Sequence, residues 1–468
     1  MPRCADAPLR QALECDQCCS VQFGTDAQRR IGRSDSEASI FLEPACPSSS
    51  RQRAASQRKC GASAEKVRSK CISNPGPLMS SVNSQFGGFT ADLTAPVVPA
   101  SVAKPWAFEL HRGLAGLAEL REEWQGLLVG MPAANYLQSP QWIASYMSAL
   151  APASENVHFI AARRGARLDA VFALESVAHG VGAVRVPGLR LISGDHMHLS
   201  DLAISGKAER LWAEFRGWLE QQRELSWQVF SAKGVCVDAV LGRLLNSPQA
   251  RQDIISRPHP PTAWLDCSQG AAHALKDVGR GHTGNVKRLL RRARELGPLS
   301  YEAVTDEQHL HAALQSFLRV EGSGWKDQAG SAIQQDPKLM AFYTQLARDF
   351  GSRGACRINL LRLNGEVIAA QFGLVSNRQL NLLKIGYEPR FAQLAPGHLI
   401  MRYTIDSVCA DASLDRLSFV TNPPWAHLWK PQHTEVENHL WFRRSLMGQA
   451  LRGAARAWTA RPRLRRTR

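Results

Sequence analysis

The chain has no long apolar segment. Its 468 residues contain no run of about 18 consecutive apolar residues, so no membrane-spanning helix is expected. Residues 1–30 also lack the apolar core of a secretory signal peptide. We therefore expect the protein to reside in the cytoplasm.

Acidic residues are absent from residues 441–468, which contain nine Arg and no Asp or Glu. The body of the chain, residues 106–440, is close to neutral, with 35 Lys and Arg against 32 Asp and Glu. The formal charge of +16 is therefore concentrated at the two ends. A strongly basic total ordinarily indicates nucleic-acid binding, but a near-neutral body does not favour a DNA-binding protein.

Complete metal-binding patterns are also missing. Cys15, Cys18 and Cys19 form half of a zinc pattern, and no second half follows nearby. We interpret them as part of an unstructured, reduced leader, and we expect no metal. The segment Asp195–His198 carries an Asp and two His, but its position after a glycine favours a loop that lines a cleft between two halves of the body.

The sequence does contain two successive regions with the same order of predicted elements. Residues 106–268 and 269–440 each indicate helices, antiparallel strands, a further helix and a final strand. We predict an α/β layered fold in which this sandwich occurs twice. Residues 1–105 show no sustained period and are predicted to be a disordered leader.

Residues 441–468 are predicted to form a basic C-terminal helix and tail. Apolar residues recur at every fourth position, and they are Phe442, Leu446, Ala450, Ala454 and Trp458. Such a stripe either docks on the body of the protein or contacts an anionic membrane surface.

Three short patterns predict local structure. Ser139 and Pro140 indicate the cap and first residue of a helix. Asn364 followed by Gly365 indicates a tight hairpin. Pro187, inside an apolar segment, predicts an edge strand or a bulge.

The segment from Leu382 to Leu399 indicates a strand, a loop and a helix that begins with Pro396 and Gly397. A helix start presents backbone N–H groups and a partial positive charge, and glycine lets a bulky ligand approach the backbone. The combination suits a diphosphate such as that of coenzyme A. A proline-initiated helix with nothing bound fits the same residues.

Residues 276–294 form a basic segment with seven Lys and Arg and one Asp. The apolar residues Val286, Leu289, Leu290, Ala293 and Leu296 predict that one face of this helix is buried. A solvated face usually explains such a run of charge, and a contact with nucleic acid is the alternative.

A glycine hairpin, an apolar strand and a loop that opens a helix follow one another in the order found in GNAT acyltransferases. The residues resemble the CelD-like acetyltransferases, which are related to the FemAB aminoacyltransferases. The resemblance covers about residues 108–440 and is strongest over 317–400. The matching motifs are Gln138–Trp142, Asn285–Arg292, Glu321–Lys326, Asn364–Gly373, Lys384–Tyr387, Ala395–His398 and Trp429–Lys430. Two positions depart from the family pattern: Ala395 replaces a common Ser, and Pro431 follows Lys430 where the family tends to have Arg.

The resemblance implies two tandem GNAT-like lobes, of which the second binds acetyl-CoA or another acyl-CoA. Glu321 is then a candidate general base and Tyr387 a candidate acid. A solvated carboxylate in a glycine-rich loop and a packed aromatic ring are the respective alternatives. No metal is required by this chemistry.

The same resemblance assigns binding roles. The residues expected to contact the cofactor are Gln371, Pro396, Gly397, His398 and Leu399. The residues expected to contact the acceptor are Trp325, Lys326, Trp429 and Lys430.

The leading hypothesis is an acyl-CoA-dependent N- or O-acyltransferase, with a cell-envelope saccharide precursor as the acceptor that family analogy suggests. One alternative is a FemAB-type transferase that uses aminoacyl-tRNA, in which the segment 276–294 contacts the RNA. Another alternative is a non-catalytic binding module with a degenerate GNAT lobe.

Overall fold

A computed structural model describes residues 105–181, 184–194, 196–205, 208–323 and 332–460. The predicted leader, Asp195, Trp325, Lys326 and the last eight residues lie outside these ranges. The side chains of Val181 and of residues 458–460 are likewise not described.

The first half of the body begins with a strand and two helices and ends with a long strand. Its elements are β1 (Ala107–Arg112), α1 (Gly113–Val129), α2 (Pro140–Ala149), β2 (Val157–Arg164), β3 (Arg167–Val181), β4 (Val184–Leu191), β5 (Ala203–Ile204), α3 (Ala208–Gln221), β6 (Val229–Cys236), α4 (Val240–Leu245), α5 (Pro248–Arg251) and β7 (Ile254–Asp266). As predicted, Pro140 begins α2, and the Ser139 hydroxyl accepts a hydrogen bond from the Trp142 amide at 3.2 Å.

After two helices, the second half repeats this order from its first strand to its last, and a further helix follows. Its elements are α6 (Ala271–Ala274), α7 (Arg280–Glu295), β8 (Leu299–Val304), α8 (Glu307–Gly322), α9 (Pro337–Gly351), β9 (Cys356–Leu363), β10 (Glu366–Ser376), β11 (Gln379–Tyr387), α10 (Pro396–Ala410), β12 (Arg416–Ser418), β13 (Gln432–Phe442) and α11 (Leu446–Ala460). The predicted hairpin joins β9 to β10, because Asn364 and Gly365 both have the positive φ that such a turn requires, 53° and 81°.

Within the described residues, the strands form one sheet in the order β1-β2-β3-β4-β6-β13-β7-β12-β11-β10-β9-β8, and β5 pairs with β3. Most pairs are antiparallel, but β4–β6 and β11–β12 are parallel. These two parallel pairs occupy equivalent places in the two halves. The predicted α/β fold with a mixed, mainly antiparallel sheet is therefore confirmed.

Alternate residues of the strands face helices on opposite sides of the sheet. In β2, Phe159 packs under α1 and α2, whereas Ile160 packs under α3. The core on the first side is shared by both halves, because Trp142 of α2 meets Phe342 of α9 with ring centroids 5.5 Å apart.

Pro187 was expected on an edge strand or at a bulge, and this prediction is wrong. β4 pairs with β3 without a register shift and with β6 from Gly188 onward. The Pro187 carbonyl accepts from the Gln228 amide at 2.8 Å, just before the β4–β6 ladder begins. At that position the missing N–H of proline removes no hydrogen bond from the ladder.

The C-terminal helix forms as α11, but the predicted apolar stripe is not the face that docks. Leu446 is 94% exposed, and Ala450 and Ala454 are also exposed. The helix contacts the body through buried Ala455 and through an ion pair of Arg452 with Asp253 at 3.8 Å. Membrane contact by this segment stays a prediction.

Candidate active site

The open edge of β11 is the central feature of the site. β11 pairs with β10 from Gln379 to Tyr387, but it pairs with β12 only from Gln379 to Asn381. β12 ends at Ser418, and Val420 then takes a positive φ of 61°, which turns the chain away. The two parallel strands therefore separate beyond Asn381, and within the described residues no other strand pairs with that edge of β11.

A bulge at Leu383 lies where this separation begins, because Phe372 of β10 pairs with Lys384 and Gly373 pairs with Leu382. Bulges of this kind re-aim side chains beside functional sites. After the bulge, Ile385 packs in the cluster that contains the core residues of α10. Lys384 and Gly386 therefore face the opposite side, toward α8.

Glu321 contacts this second face of β11. A Cβ built on Gly386 would lie 2.7 Å from the Glu321 Cα, so only glycine permits the two backbones to approach so closely. The Ile333 amide donates to Glu321 Oε2 at 3.0 Å. Burial and the Glu321 charge raise the pKa of Tyr343 well above its usual value, which places this phenol near the carboxylate.

The placement of Glu321 in a glycine-rich loop is wrong, and so is the alternative that it is a solvated carboxylate. Glu321 belongs to the last turn of α8 and is 2% exposed. The sequence suggested a loop because glycines follow directly, but the helix continues to Gly322.

Tyr387 is the last residue of β11 and is 41% exposed. Its ring lies on the α10 side, where Cδ1 is 4.0 Å from the position that a Cβ on Gly397 would occupy. The structure therefore brings Tyr387 and Gly397 together, at the end of the open edge.

The start of α10 closes this end of the site. Ala395 precedes Pro396 and has a positive φ of 46°. Its carbonyl accepts from the amides of His398 and Leu399 at 2.9 and 3.3 Å. Pro396 has no N–H, and the amides of His398 and Leu399 are bonded to Ala395. The amide of Gly397 is therefore the one in the first turn that has no acceptor in the described part of the chain. The Leu399 side chain is fully buried in the core, so only its backbone belongs to the site.

Two rings lie beside that of His398. Its ring centroid lies 5.1 Å from that of His282, in the first turn of α7, and 6.1 Å from that of Trp429. His282 and Trp429 meet edge to face at 4.7 Å. The starts of α7 and α10 therefore converge, with Trp429 between them and Lys430 exposed beside it. The sequence did not point to His282, which lies in a segment singled out only for its charge.

Gln371 is fully buried between the sheet and α10. Its Oε1 accepts from Asn359 Nδ2 at 2.9 Å and from Thr404 Oγ1 at 2.7 Å, and its Nε2 has no partner among the described residues. Arg357 extends this network by donating to Asn359 Oδ1 at 2.9 Å. The network fixes β9 and β10 against α10, while contact of Gln371 with a cofactor stays a prediction.

The loop that follows β4 reaches the second half of the protein. His196 is within electrostatic reach of Lys384 of β11 and of Asp336, which caps α9. Burial and, next, the Lys384 charge lower the pKa of His196 to about 3. That the loop lines a cleft between the halves stays a prediction.

The equivalent gap in the first half is filled by this same loop. β4 and β6 pair only at Gly188–Arg190, and beyond that ladder the Ser200 amide donates to the Gly234 carbonyl at 3.0 Å. In the described chain, β11 and β12 separate toward the start of α10, and no loop is bonded between them as the Ser200 loop is bonded beside β6.

The described residues offer neither a metal site nor a membrane-spanning helix. They contain no group of three or more His, Cys, Asp or Glu arranged to hold a metal ion. No helix among them is long and apolar enough to cross a membrane.

Residues 280–430 match the family model described as Acetyltransferase (GNAT) domain. No curated protein sequence matches the chain. Among solved structures, the chain is similar to FemX, with 12% identity over 68% of this chain and 95% of that one and a TM-score of 0.47. It is also similar to L-PGS from Bacillus licheniformis, with 9% identity over 70% of this chain and 98% of that one and a TM-score of 0.40. A tandem GNAT protein from the clavulanic acid biosynthesis pathway has 12% identity over 71% and 98% of the two chains and a TM-score of 0.39.

Proposed function

We propose that the protein is an acyl-CoA-dependent N- or O-acyltransferase whose donor lies along the open edge of β11. The observation that carries the proposal is the separation of β11 from β12 directly before the start of α10. An unpaired strand edge offers backbone hydrogen bonds to an extended arm such as pantetheine. The match of residues 280–430 to an acetyltransferase domain supports the same assignment.

The convergent starts of α7 and α10 suit the diphosphate of the donor. The first-turn amide of Gly397 and the positive end of the α10 dipole favour an anion there. His282, His398 and Trp429 form the wall beside that position, and Lys430 adds a positive charge nearby. The resemblance implied that Trp429 and Lys430 contact the acceptor, but we propose the donor side for both, because Trp429 packs against His282 and His398.

Glu321 and Tyr387 then act from opposite faces of β11. Transfer requires that the acceptor amine or hydroxyl lose a proton and that the departing thiolate gain one. Glu321 takes the first proton on the α8 side, and Tyr387 supplies the second on the α10 side. A saccharide precursor of the cell envelope remains our proposed acceptor, and Trp325 with Lys326 remains proposed for its binding.

An assay of acetyl transfer tests this proposal. Purified protein is incubated with radiolabelled acetyl-CoA and a panel of amino sugars, and labelled product is measured. Glu321→Gln keeps an oxygen that accepts from the Ile333 amide, so the fold should persist while the rate falls about 100-fold or more. Glu307→Gln, in the exposed first turn of the same helix, is the control and should retain the wild-type rate. Equal rates for wild type and Glu321→Gln would remove Glu321 from the mechanism.

A second candidate function, transfer from aminoacyl-tRNA, is favoured by the exposed charge of α7. Lys287, Arg288 and Arg292 are exposed, and Arg288 donates to Asn285 Oδ1 of the same helix at 2.8 Å. Charged tRNA should then bind with steep salt dependence, and a Lys287→Glu, Arg292→Glu variant should lose that binding. Absence of binding at low salt excludes this candidate.

A further inference from the structure

The C-terminal helix α11 exposes apolar side chains to solvent. Leu446, in its first turn, is 94% exposed, and the adjacent Met447 is 54% exposed. Ala450 and Ala454 follow at the spacing of one helical turn and are exposed as well. These four residues form the apolar stripe of α11, and no part of the described chain covers them.

The other side of α11 is fixed to the body of the protein. Ala455 and Gly448 are buried, and Arg452 forms an ion pair with Asp253 at 3.8 Å. Nine residues, or about two and a half helical turns, separate Leu446 from Ala455. The anchored side and the apolar stripe therefore point in opposite directions, and the anchor holds the stripe outward.

Positive charge surrounds this helix. Two carboxylates, those of Asp253 and Glu220, form ion pairs with four arginines, which are Arg216, Arg443, Arg444 and Arg452. The pairing leaves an excess of two positive charges. Residues 461–468, which lie outside the described ranges, add five Arg and no acidic residue directly after α11. The sequence on both sides of the apolar stripe is therefore basic.

An apolar stripe on a basic helix suits the surface of an anionic bilayer. Leucine and methionine enter the boundary between headgroups and acyl chains, and arginines are attracted to the anionic headgroups. A second copy of the chain fits this surface less well. Symmetric contact through the stripe would bring two basic segments together, and like charges across an interface repel.

We propose that α11 binds the surface of an anionic membrane, with its apolar stripe in the interface and the neighbouring arginines at the headgroups. The helix lies on the bilayer in this arrangement and does not cross it. The body of the protein, to which α11 is anchored, is then held at the membrane surface. The proposal does not depend on the donor site.

Sedimentation with lipid vesicles tests the proposal. Full-length protein is mixed with vesicles of phosphatidylglycerol and phosphatidylcholine in equal parts, or with vesicles of phosphatidylcholine alone, and the bound fraction is measured. Wild type should sediment with the anionic vesicles and not with the neutral ones. A Leu446→Gln, Met447→Gln variant should bind the anionic vesicles at least fivefold more weakly. A Leu114→Gln, Val129→Gln variant removes two exposed apolar side chains from α1 and should bind as wild type does.

Three results would overturn the proposal. The first is that wild type does not sediment with the anionic vesicles, and the second is that the Leu446→Gln, Met447→Gln variant binds them equally well. The third comes from light scattering without lipid: a wild-type dimer that becomes a monomer in this variant would assign the stripe to a second copy of the chain. Acetyl transfer to a soluble acceptor should be the same in wild type and in this variant, so the vesicle experiment and the proposed function are tested separately.

Discussion

At the scale of single residues, the site depends on one glycine between α8 and β11. Gly386→Ala would place a Cβ 2.7 Å from the Glu321 Cα and 3.0 Å from its amide nitrogen. Both neighbours are backbone atoms, so the strand or the helix must shift. We expect the free energy of unfolding to fall by about 1–3 kcal/mol and acetyl transfer to fall with it. Urea denaturation and the transfer assay measure the two effects.

A matched control for this change exists in α7. Gly284→Ala introduces the same methyl group at an exposed helical position with no atom within 4 Å. Because alanine favours a helix more than glycine does, stability should rise by roughly 0.5–1 kcal/mol. A Gly386→Ala variant as stable as wild type would show that the contact with Glu321 is loose.

Some residues of the candidate site could be predicted from the sequence. Gly397 and Tyr387 were predicted to belong to one site, and the structure brings them together. Lys384 was named only as part of a motif, because the sequence does not show on which face of the sheet a lysine in a strand lies. The bulge at Leu383, which sets that face, arises from pairing with a distant strand and has no local signal.

At the scale of elements, α10 begins from a strained residue. Ala395 has φ 46° and ψ 58°, a left-handed conformation that costs an L-residue roughly 1–2 kcal/mol relative to glycine. Ala395→Gly should therefore stabilise the protein by up to about 1 kcal/mol, after the entropy that glycine gains in the unfolded chain is deducted. Ala312→Gly, at an exposed position within α8, should instead destabilise it by about 1 kcal/mol. Loss of stability in both variants would contradict the strained conformation.

Four strands were not predicted from the sequence, namely β1, β5, β8 and β13. The predicted C-terminal segment began at residue 441, which is the tenth residue of β13. β13 lies between β6 and β7, so its partners are distant in sequence. Helix periods and hairpin turns are local patterns and were found, whereas long-range strand pairing is decided by tertiary packing.

At the scale of the whole molecule, buried histidines predict a loss of stability in mild acid. Burial lowers the pKa of His158, His179 and His439 from 6.5 to about 4. Between these values the unfolded chain binds protons that the folded protein does not, so stability falls as the pH drops from 6.5 toward 4. Asp201 acts in the opposite direction, because burial raises its pKa to about 6. Three histidines oppose this one aspartate, so the net effect of lowering the pH from 6.5 toward 4 should be a loss of stability.

A variant isolates one of these groups. His179→Gln removes a titrating ring whose Nε2 lies 3.3 Å from the Ser231 hydroxyl. Between pH 7 and pH 5 the wild type should lose about 2 kcal/mol more stability than this variant loses. Urea denaturation at both pH values measures the difference, and parallel curves would show that His179 protonates freely in the folded state.

We propose that the separation of β11 from β12 at the start of α10 forms the donor site, and calorimetry with acetyl-CoA tests this claim most directly. A Cβ on Gly397 would have only the Tyr387 ring, at 4.0 Å, within contact distance among the described residues, so the backbone can accept a side chain there, and Gly397→Trp places a bulky ring at the proposed donor site. Gly453→Trp, at an open position on α11, is the control. We predict that wild type and Gly453→Trp bind acetyl-CoA with equal affinity and that Gly397→Trp binds at least tenfold more weakly. Absence of binding by the wild type, or equal binding by Gly397→Trp, would contradict the account.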